Sequence, residues 1–202
     1  MSSNEPIHPK SPKVFGVGFH KTGTTSLGHA LEHLGYRVAG AFGVHDAQIG
    51  DVALEQALER IPNYDAFQDN PWPLLFREID RKFPGSRFIL TTREPEAWLA
   101  SVVKHFSSER TPMRQWIYGE GSPVGHEQLY VETYLAHNAA VRAHFADRPA
   151  DLLELDLPAG EGWSELCAFL GRSEPDAPFF HSNRASSRSL WNRLLHFVTS
   201  KG

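Results

Sequence analysis

The sequence predicts an α/β fold, a parallel sheet with helices on both faces, built as a single domain. Three observations predict it. Short β-type apolar runs alternate along the chain with longer segments of helical spacing. The two clearest runs, 13–19 and 87–92, read as buried strands of the kind a sheet covered on both faces requires. The length, 202 residues, suits one domain with a substantial core.

The elements follow in order. Residues 1–12 read as a flexible polar tail, and residues 13–202 as the folded unit. A strand over 13–19 leads through a polar, glycine-containing turn into a helix over 24–34. That helix places Leu27, Ala30, Leu31 and Leu34 on one face and stops at Gly35. A strand is predicted over 36–40, a helix over 51–60 and a short strand over 66–68 that delivers Asp69 to a loop. Leu75, Phe76, Ile79 and Phe83 give a helix over 72–83, ended by Pro84-Gly85. The strand over 87–92 runs directly into Arg93, and Pro95 opens a helix through Trp98, Val102 and Phe106. Residues 107–124 are rich in Gly, Pro and Ser and read as a mobile loop. A long helix over 126–145, a strand over 152–155, a helix over 162–170, an irregular stretch over 171–188 and a closing helix over 190–198 complete the chain.

Composition excludes several classes. The formal charge of −4 offers no global attraction for nucleic acid. The single cysteine, Cys167, permits neither an intrachain disulfide nor a Cys-based metal cage, and its apolar helical context predicts a buried thiol. The 11 histidines are scattered, without an HExxH pattern. The tail lacks the apolar core of a signal peptide, and no run is long enough to span a membrane. A cytoplasmic location is expected.

The chemistry concentrates in two places. The first is the strand-to-helix junction Gly16-Val17-Gly18-Phe19-His20-Lys21-Thr22-Gly23-Thr24-Thr25-Ser26. Helix-start N–H groups lack partners, and the helix dipole adds positive charge there. Lys21 supplies a full charge, Gly23 lets the backbone wrap an oxyanion, and the hydroxyls of Thr22, Thr24, Thr25 and Ser26 can donate to phosphate oxygens. A plain N-cap at Thr24 or Thr25 is the alternative. In an ATPase P-loop the lysine follows the second glycine, whereas Lys21 precedes Gly23. A P-loop ATPase also needs an acidic strand end for Mg²⁺, and the strongest strand here ends in Thr91-Thr92-Arg93. The second place is Arg93 with Ser101 about two helical turns beyond Pro95. The alternative there is a surface pair of Arg93 with Glu94 or Glu96.

These segments resemble the PAPS-dependent sulfotransferase family, in a compact microbial-type form with a P-loop-type sheet. Lys21-Thr22-Gly23-Thr24-Thr25 is similar to the loop that binds the 5′-phosphosulfate, and the strand ending in Arg93 with Ser101 is similar to the 3′-phosphate motif. Trp163, Leu166, Cys167 and 169–171, followed by 178–183, look like that branch's C-terminal signature. The resemblance implies a fold, a donor and a reaction. The donor is 3′-phosphoadenosine-5′-phosphosulfate (PAPS), and the sulfuryl group passes in line to a hydroxyl or amine, releasing the bisphosphate PAP without a metal. It implies that Lys21 stabilises leaving-group charge and that Arg184 and Arg188, on a late loop, contact the 3′-phosphate. For the general base, Asp69 is favoured, with N-capping of the following helix as its alternative reading. His20 is the runner-up, and His105 and His126 are outlying candidates. The loops 41–50 and 107–124 are the candidates for building an acceptor pocket, with Trp72, Trp98, Trp116 and Tyr118 as candidates to line it. The expected partner is a small-molecule acceptor, with a homodimer allowed. Two other functions are compatible with the sequence: a P-loop kinase using ATP and Mg²⁺, and a non-catalytic nucleotide-binding protein.

Overall fold

The computed structural model describes residues 12–180. Residues 1–11 of the tail, 181–183 of the C-terminal signature, Arg184, Arg188 and the helix expected over 190–198 therefore lie outside the described residues. Five parallel strands form one sheet in the order β2-β3-β1-β4-β5: β1 (Val14–Gly16), β2 (Val38–Ala39), β3 (Ala66–Phe67), β4 (Arg87–Thr91) and β5 (Leu152–Leu155). Seven α-helices are described: α1 (Thr24–His33), α2 (Ile49–Arg60), α3 (Phe76–Lys82), α4 (Pro95–Phe106), α5 (Pro112–Tyr118), α6 (Glu127–His144) and α7 (Trp163–Leu170).

Register decides the two cores. Phe15 lies beside Phe67 and Phe88, so three rings share one face, with centroids 4.6 and 5.6 Å from Phe15. Residues from α2, α3, α4, α5 and α6 close over that face. Val14, Ala66 and Ile89 alternate to the other face, where Leu27, Ala30 and Leu31 of α1 and Leu166 and Cys167 of α7 cover them. Cys167 is a buried free thiol.

The order of strands positions the site. The chain leaves β1 toward β3 and β2 on one side, then returns to β4 on the other. The gap beside β1 is therefore a switch point, where loops from neighbouring strands diverge and leave a crevice. The loops after β3, β1 and β4 carry Asp69, Lys21 and Arg93 respectively, all at the carboxyl edge of the sheet.

Two expectations need correction. Residues 107–124 are not an irregular loop, because they contain α5. Thr111 caps it by accepting from the Arg114 N–H, Pro112 sits in its first turn, and Met113, Arg114, Ile117 and Tyr118 are buried. The segment 72–83 is not one α-helix. It opens as a 3₁₀ turn over Trp72–Leu75, with Pro73 in its first turn, and becomes α-helical only from Phe76.

His137 of α6 ties that helix to the sheet. Its Nε2–H donates to the Val17 carbonyl at 2.7 Å and its ring stacks on Phe19 at 4.1 Å. Burial pulls its pKa down to about 4 from an ordinary 6.5, opposed by the Val17 bond. A histidine depressed in the folded state stabilises fully above its unfolded pKa. That contribution is lost as pH falls from about 6.5 toward about 4, because the unfolded chain then binds the extra proton. Urea denaturation across this window should lose stability at ~1.4 kcal/mol per pH unit from this group. His137→Gln should remove about one proton from the slope, and an unchanged slope would contradict the assignment.

Candidate active site

The loop between β1 and α1 is held by contacts that the sequence makes compulsory. Gly18 runs so close to β4 that a Cβ there would lie 2.1 Å from Thr91 Oγ1 and 2.3 Å from the Thr91 carbonyl oxygen. Thr22 is fully buried, and its hydroxyl donates to the Phe19 carbonyl at 2.6 Å while pairing with Thr91 Oγ1 at 2.6 Å. The Thr22 hydroxyl is thus a brace for the loop and not a phosphate donor, which corrects the expectation for that side chain. Gly23 has φ 110°, a left-handed conformation that favours glycine, and it occupies the N-cap position of α1. The first helical bond runs from the Leu27 N–H to the Gly23 carbonyl at 2.9 Å. The N–H groups of Thr24 and Thr25 precede that first bond and consequently have no helix carbonyl to meet. Neither Thr24 nor Thr25 is the N-cap; Gly23 holds that position, without a side chain to cap the helix. Thr25 is exposed, while Thr24 and Ser26 are buried.

Arg93 follows β4 and is fixed by its own backbone. Tyr134 accepts from the Arg93 N–H at 2.9 Å and donates to the Arg93 carbonyl at 2.8 Å, while its ring stacks on Trp98 at 4.3 Å. The guanidinium crosses to the neighbouring loop, where Nη1 donates to the Lys21 carbonyl at 3.3 Å. Its Nε–H is buried without a partner among the described residues. Glu94 caps α4 through the Ala97 N–H at 2.9 Å. Ser101 is half-buried on α4, two turns into that helix.

Lys21 and Asp69 share a cavity of about 230 Å³. One side is the β1–α1 loop, with His20, Lys21, Gly23, Thr24, Thr25 and Ser26. The other is Ala41, Val44, His105, Phe106, Thr111, Met113 and Arg114, and Asp69 and Asn70 join the two. Asp69 does not cap the helix that follows it. Its carboxylate turns back to the loop, accepting from the Thr24 hydroxyl at 3.3 Å and from the Asn70 N–H at 2.8 Å. Burial pushes the Asp69 carboxyl above the usual carboxylate range, against those hydrogen bonds and the Lys21 charge. Burial also pulls the Lys21 ammonium below its ordinary value, with Asp69 opposing and Arg93 reinforcing the shift. The pair therefore stands between an ammonium and a carboxyl whose charged states are both penalised by the site.

His20 lines the cavity but has no spare lone pair. It is 4% exposed, Asn70 Nδ2 donates to its Nδ1 at 2.7 Å, and its Nε2 meets the Tyr118 hydroxyl at 3.0 Å. Burial, with help from Arg114, Lys21 and His105, lowers its pKa to about 3. A ring whose acceptor nitrogen is already filled cannot take an acceptor's proton, so its geometry does not suit the base role anticipated for it. His105, at the end of α4, lines the cavity from the exposed side, and burial with the Lys21 charge lowers its pKa. His126 lies elsewhere, bonded to the Ser122 carbonyl at 3.2 Å. Trp72 and Trp98 are fully buried and Tyr118 is nearly so, which makes them core rather than pocket wall. Trp116 lines a separate outer groove with Ile49 and Arg110. Ala41, Val44, Met113 and Arg114 lie in the two loops, 41–50 and 107–124, that the sequence offers as builders of an acceptor pocket, although no motif singles out the individual residues. The Thr111-Pro112 cap was the available signal, because it announces the helix that brings Met113 and Arg114 inward.

Among the described residues no helix is long and apolar enough to cross a membrane, and no group of three or more His, Cys, Asp or Glu residues could hold a metal ion. A curated relative, the Ava biosynthesis cluster protein M of Aspergillus versicolor, is 24% identical over an alignment covering 94% of this chain and 90% of that protein. A family model described as a sulfotransferase domain matches residues 13–123 and 111–188. These matches span the β1–α1 loop, the Arg93 strand end and the cavity walls alike, and the chain belongs to the sulfotransferase domain family.

Proposed function

We propose that this protein transfers the sulfuryl group of PAPS to a hydroxyl or amine of a small, largely apolar acceptor. The observation that carries the reading is the convergence of Lys21, Arg93 and the N-terminus of α1 on one edge of the sheet, with the Asp69 carboxylate bonded to Thr24 in the same cavity. In this reading the N–H groups of Thr24 and Thr25, with Lys21, cradle the 5′-phosphosulfate. The unpaired Nε–H of Arg93 is a buried donor suited to a phosphate oxygen, and with Ser101 it takes the 3′-phosphate.

The acceptor enters from the side of Ala41, Val44, Phe106 and Met113, whose apolar surfaces suit an uncharged ring or chain. A cavity of about 230 Å³ favours a compact reacting end. A relative named as a biosynthesis cluster protein fits a small-molecule acceptor. The acceptor oxygen or nitrogen attacks sulfur, and its proton passes to Asp69. The bond between sulfur and the bridging oxygen breaks, and the electron pair leaves with the nucleotide as PAP. Lys21 neutralises the charge that grows on that oxygen. Burial raises the basicity of the Asp69 carboxylate, which improves it as a proton acceptor near neutral pH.

Calorimetry with PAP, adenosine 5′-phosphosulfate, ADP and ATP–Mg²⁺ tests the donor. PAP should bind without metal. Arg93→Ala should weaken PAP about tenfold or more, the loss of a charge-assisted bond, and leave adenosine 5′-phosphosulfate nearly unaffected. Equal losses for both ligands would remove Arg93 from the 3′-phosphate, and a strict Mg²⁺ requirement would favour a kinase.

Asp69→Asn tests the chemistry. Screening of labelled-donor transfer to alcohols, phenols and amines supplies the acceptor. The variant should bind PAP normally and lose roughly 10²–10⁴-fold in turnover. Full activity in Asp69→Asn would end its role as base.

A further inference from the structure

The two residues at the centre of the site both stand in left-handed backbone. Lys21 has φ 66° and Asp69 has φ 69°, values that are uncommon for residues with a side chain beyond Cβ. Such conformations persist only where their surroundings over-determine them. The residue before Lys21 is His20, and the residue after Asp69 is Asn70. These two side chains bond directly, with Asn70 Nδ2 donating to His20 Nδ1 at 2.7 Å, and both residues are 4% exposed.

We infer that His20 is a positioning residue, a clamp whose bond to Asn70 locks the Lys21 loop and the Asp69 loop to each other. This rests on the functional reading above for the roles of Lys21 and Asp69, but the clamp itself is a matter of geometry. Each end of the bond is anchored to a different part of the core. The His20 carbonyl accepts from Trp98 Nε1 at 3.0 Å, and the Asn70 carbonyl accepts from the Phe42 N–H at 3.2 Å. Asn70 also donates its own N–H to the Asp69 carboxylate, so the clamp reaches the carboxylate through one residue. The His20 ring is held upright by the Tyr118 hydroxyl at 3.0 Å and by the edge of Phe106 at 4.8 Å. With Asn70 donating into Nδ1, the ring proton lies on Nε2 and is donated to Tyr118, which fixes the tautomer. Asn70 Oδ1 is buried with no partner among the described residues, so the bond to His20 is the one there that orients the amide.

The two ring nitrogens can be tested separately. In His20→Asn an amide oxygen replaces Nδ1 and keeps the acceptor for Asn70. In His20→Gln an amide group replaces Nε2 and keeps the Tyr118 side only. The full chain is labelled with ¹³C-carboxyl aspartate, the Asp69 signal is assigned with Asp69→Asn, and its titration is followed by NMR. In the wild type the Asp69 midpoint should lie above the ordinary carboxylate range. His20→Asn and Tyr118→Phe should keep it there, whereas His20→Gln should move it toward that range. If His20→Gln fails to fold, Asn70→Ala breaks the same bond from the other side and should give the same movement. Equal shifts in His20→Asn and His20→Gln, or none in either, would overturn the clamp, since a simple packing role predicts the former and no role the latter. PAP calorimetry on the wild type separates the two levels. Absence of PAP binding there counts against the sulfuryl-transfer reading and leaves the titration result standing. Normal PAP binding with an Asp69 midpoint indifferent to the His20→Gln change rejects the clamp alone.

Discussion

The contact of Gly18 with Thr91 governs the geometry of everything above the sheet. With no side chain at Gly18, the chain leaving β1 lies against β4, and Thr22 can drop its hydroxyl between the Phe19 carbonyl and Thr91. That brace turns the loop back sharply enough for α1 to start at Thr24 with its first turn lining the cavity. It also brings the Lys21 carbonyl within reach of Arg93, the first residue after Thr92 at the end of β4. A bulkier residue at Gly18 would separate the two loops, and the charge of Arg93 would no longer lie beside that of Lys21.

On the opposite flank of β1, the loop after β3 repeats the same logic with different groups. Asp69 and Lys21 are both held in left-handed backbone, and each costs some local stability that the packed aromatic core around His20, Trp98, Phe106 and Tyr118 offsets. What the strain supplies is direction. It turns the Asp69 carboxylate away from its own helix and toward Thr24, into the cavity where Lys21 stands. The burial that raises the Asp69 pKa also lowers that of Lys21, so the proposed proton acceptor and the proposed charge-stabilising group share one environment.

The sequence was legible where local chemistry dictates structure. The Gly, Lys and hydroxyl run at the first strand-to-helix junction, the Arg93 strand end and the helical spacing of α1, α4 and α6 each carry their own signal, and all lie where expected. The role of Thr22 was not legible, because its partner Thr91 is 69 residues away and nothing in either segment announces the other. The same holds for His20, which reads as a candidate base beside Lys21 until Asn70 and Tyr118, 50 and 98 residues distant, occupy both of its nitrogens. The composition of 107–124 misled because Gly and Pro suggested a loop, while Thr111-Pro112 in fact starts α5 and encloses the cavity. Long-range pairing, not local propensity, decided each of these cases.

A crystal structure of the full chain with PAP tests the account most directly. If the proposed function holds, the 5′-phosphate lies against the N–H groups of Thr24 and Thr25 beside Lys21, the 3′-phosphate lies on Arg93 and Ser101, and the Asp69 carboxylate is left open to the acceptor side of the cavity. PAP bound with its phosphates away from the β1–α1 loop, or with Asp69 turned out of the cavity, would contradict it.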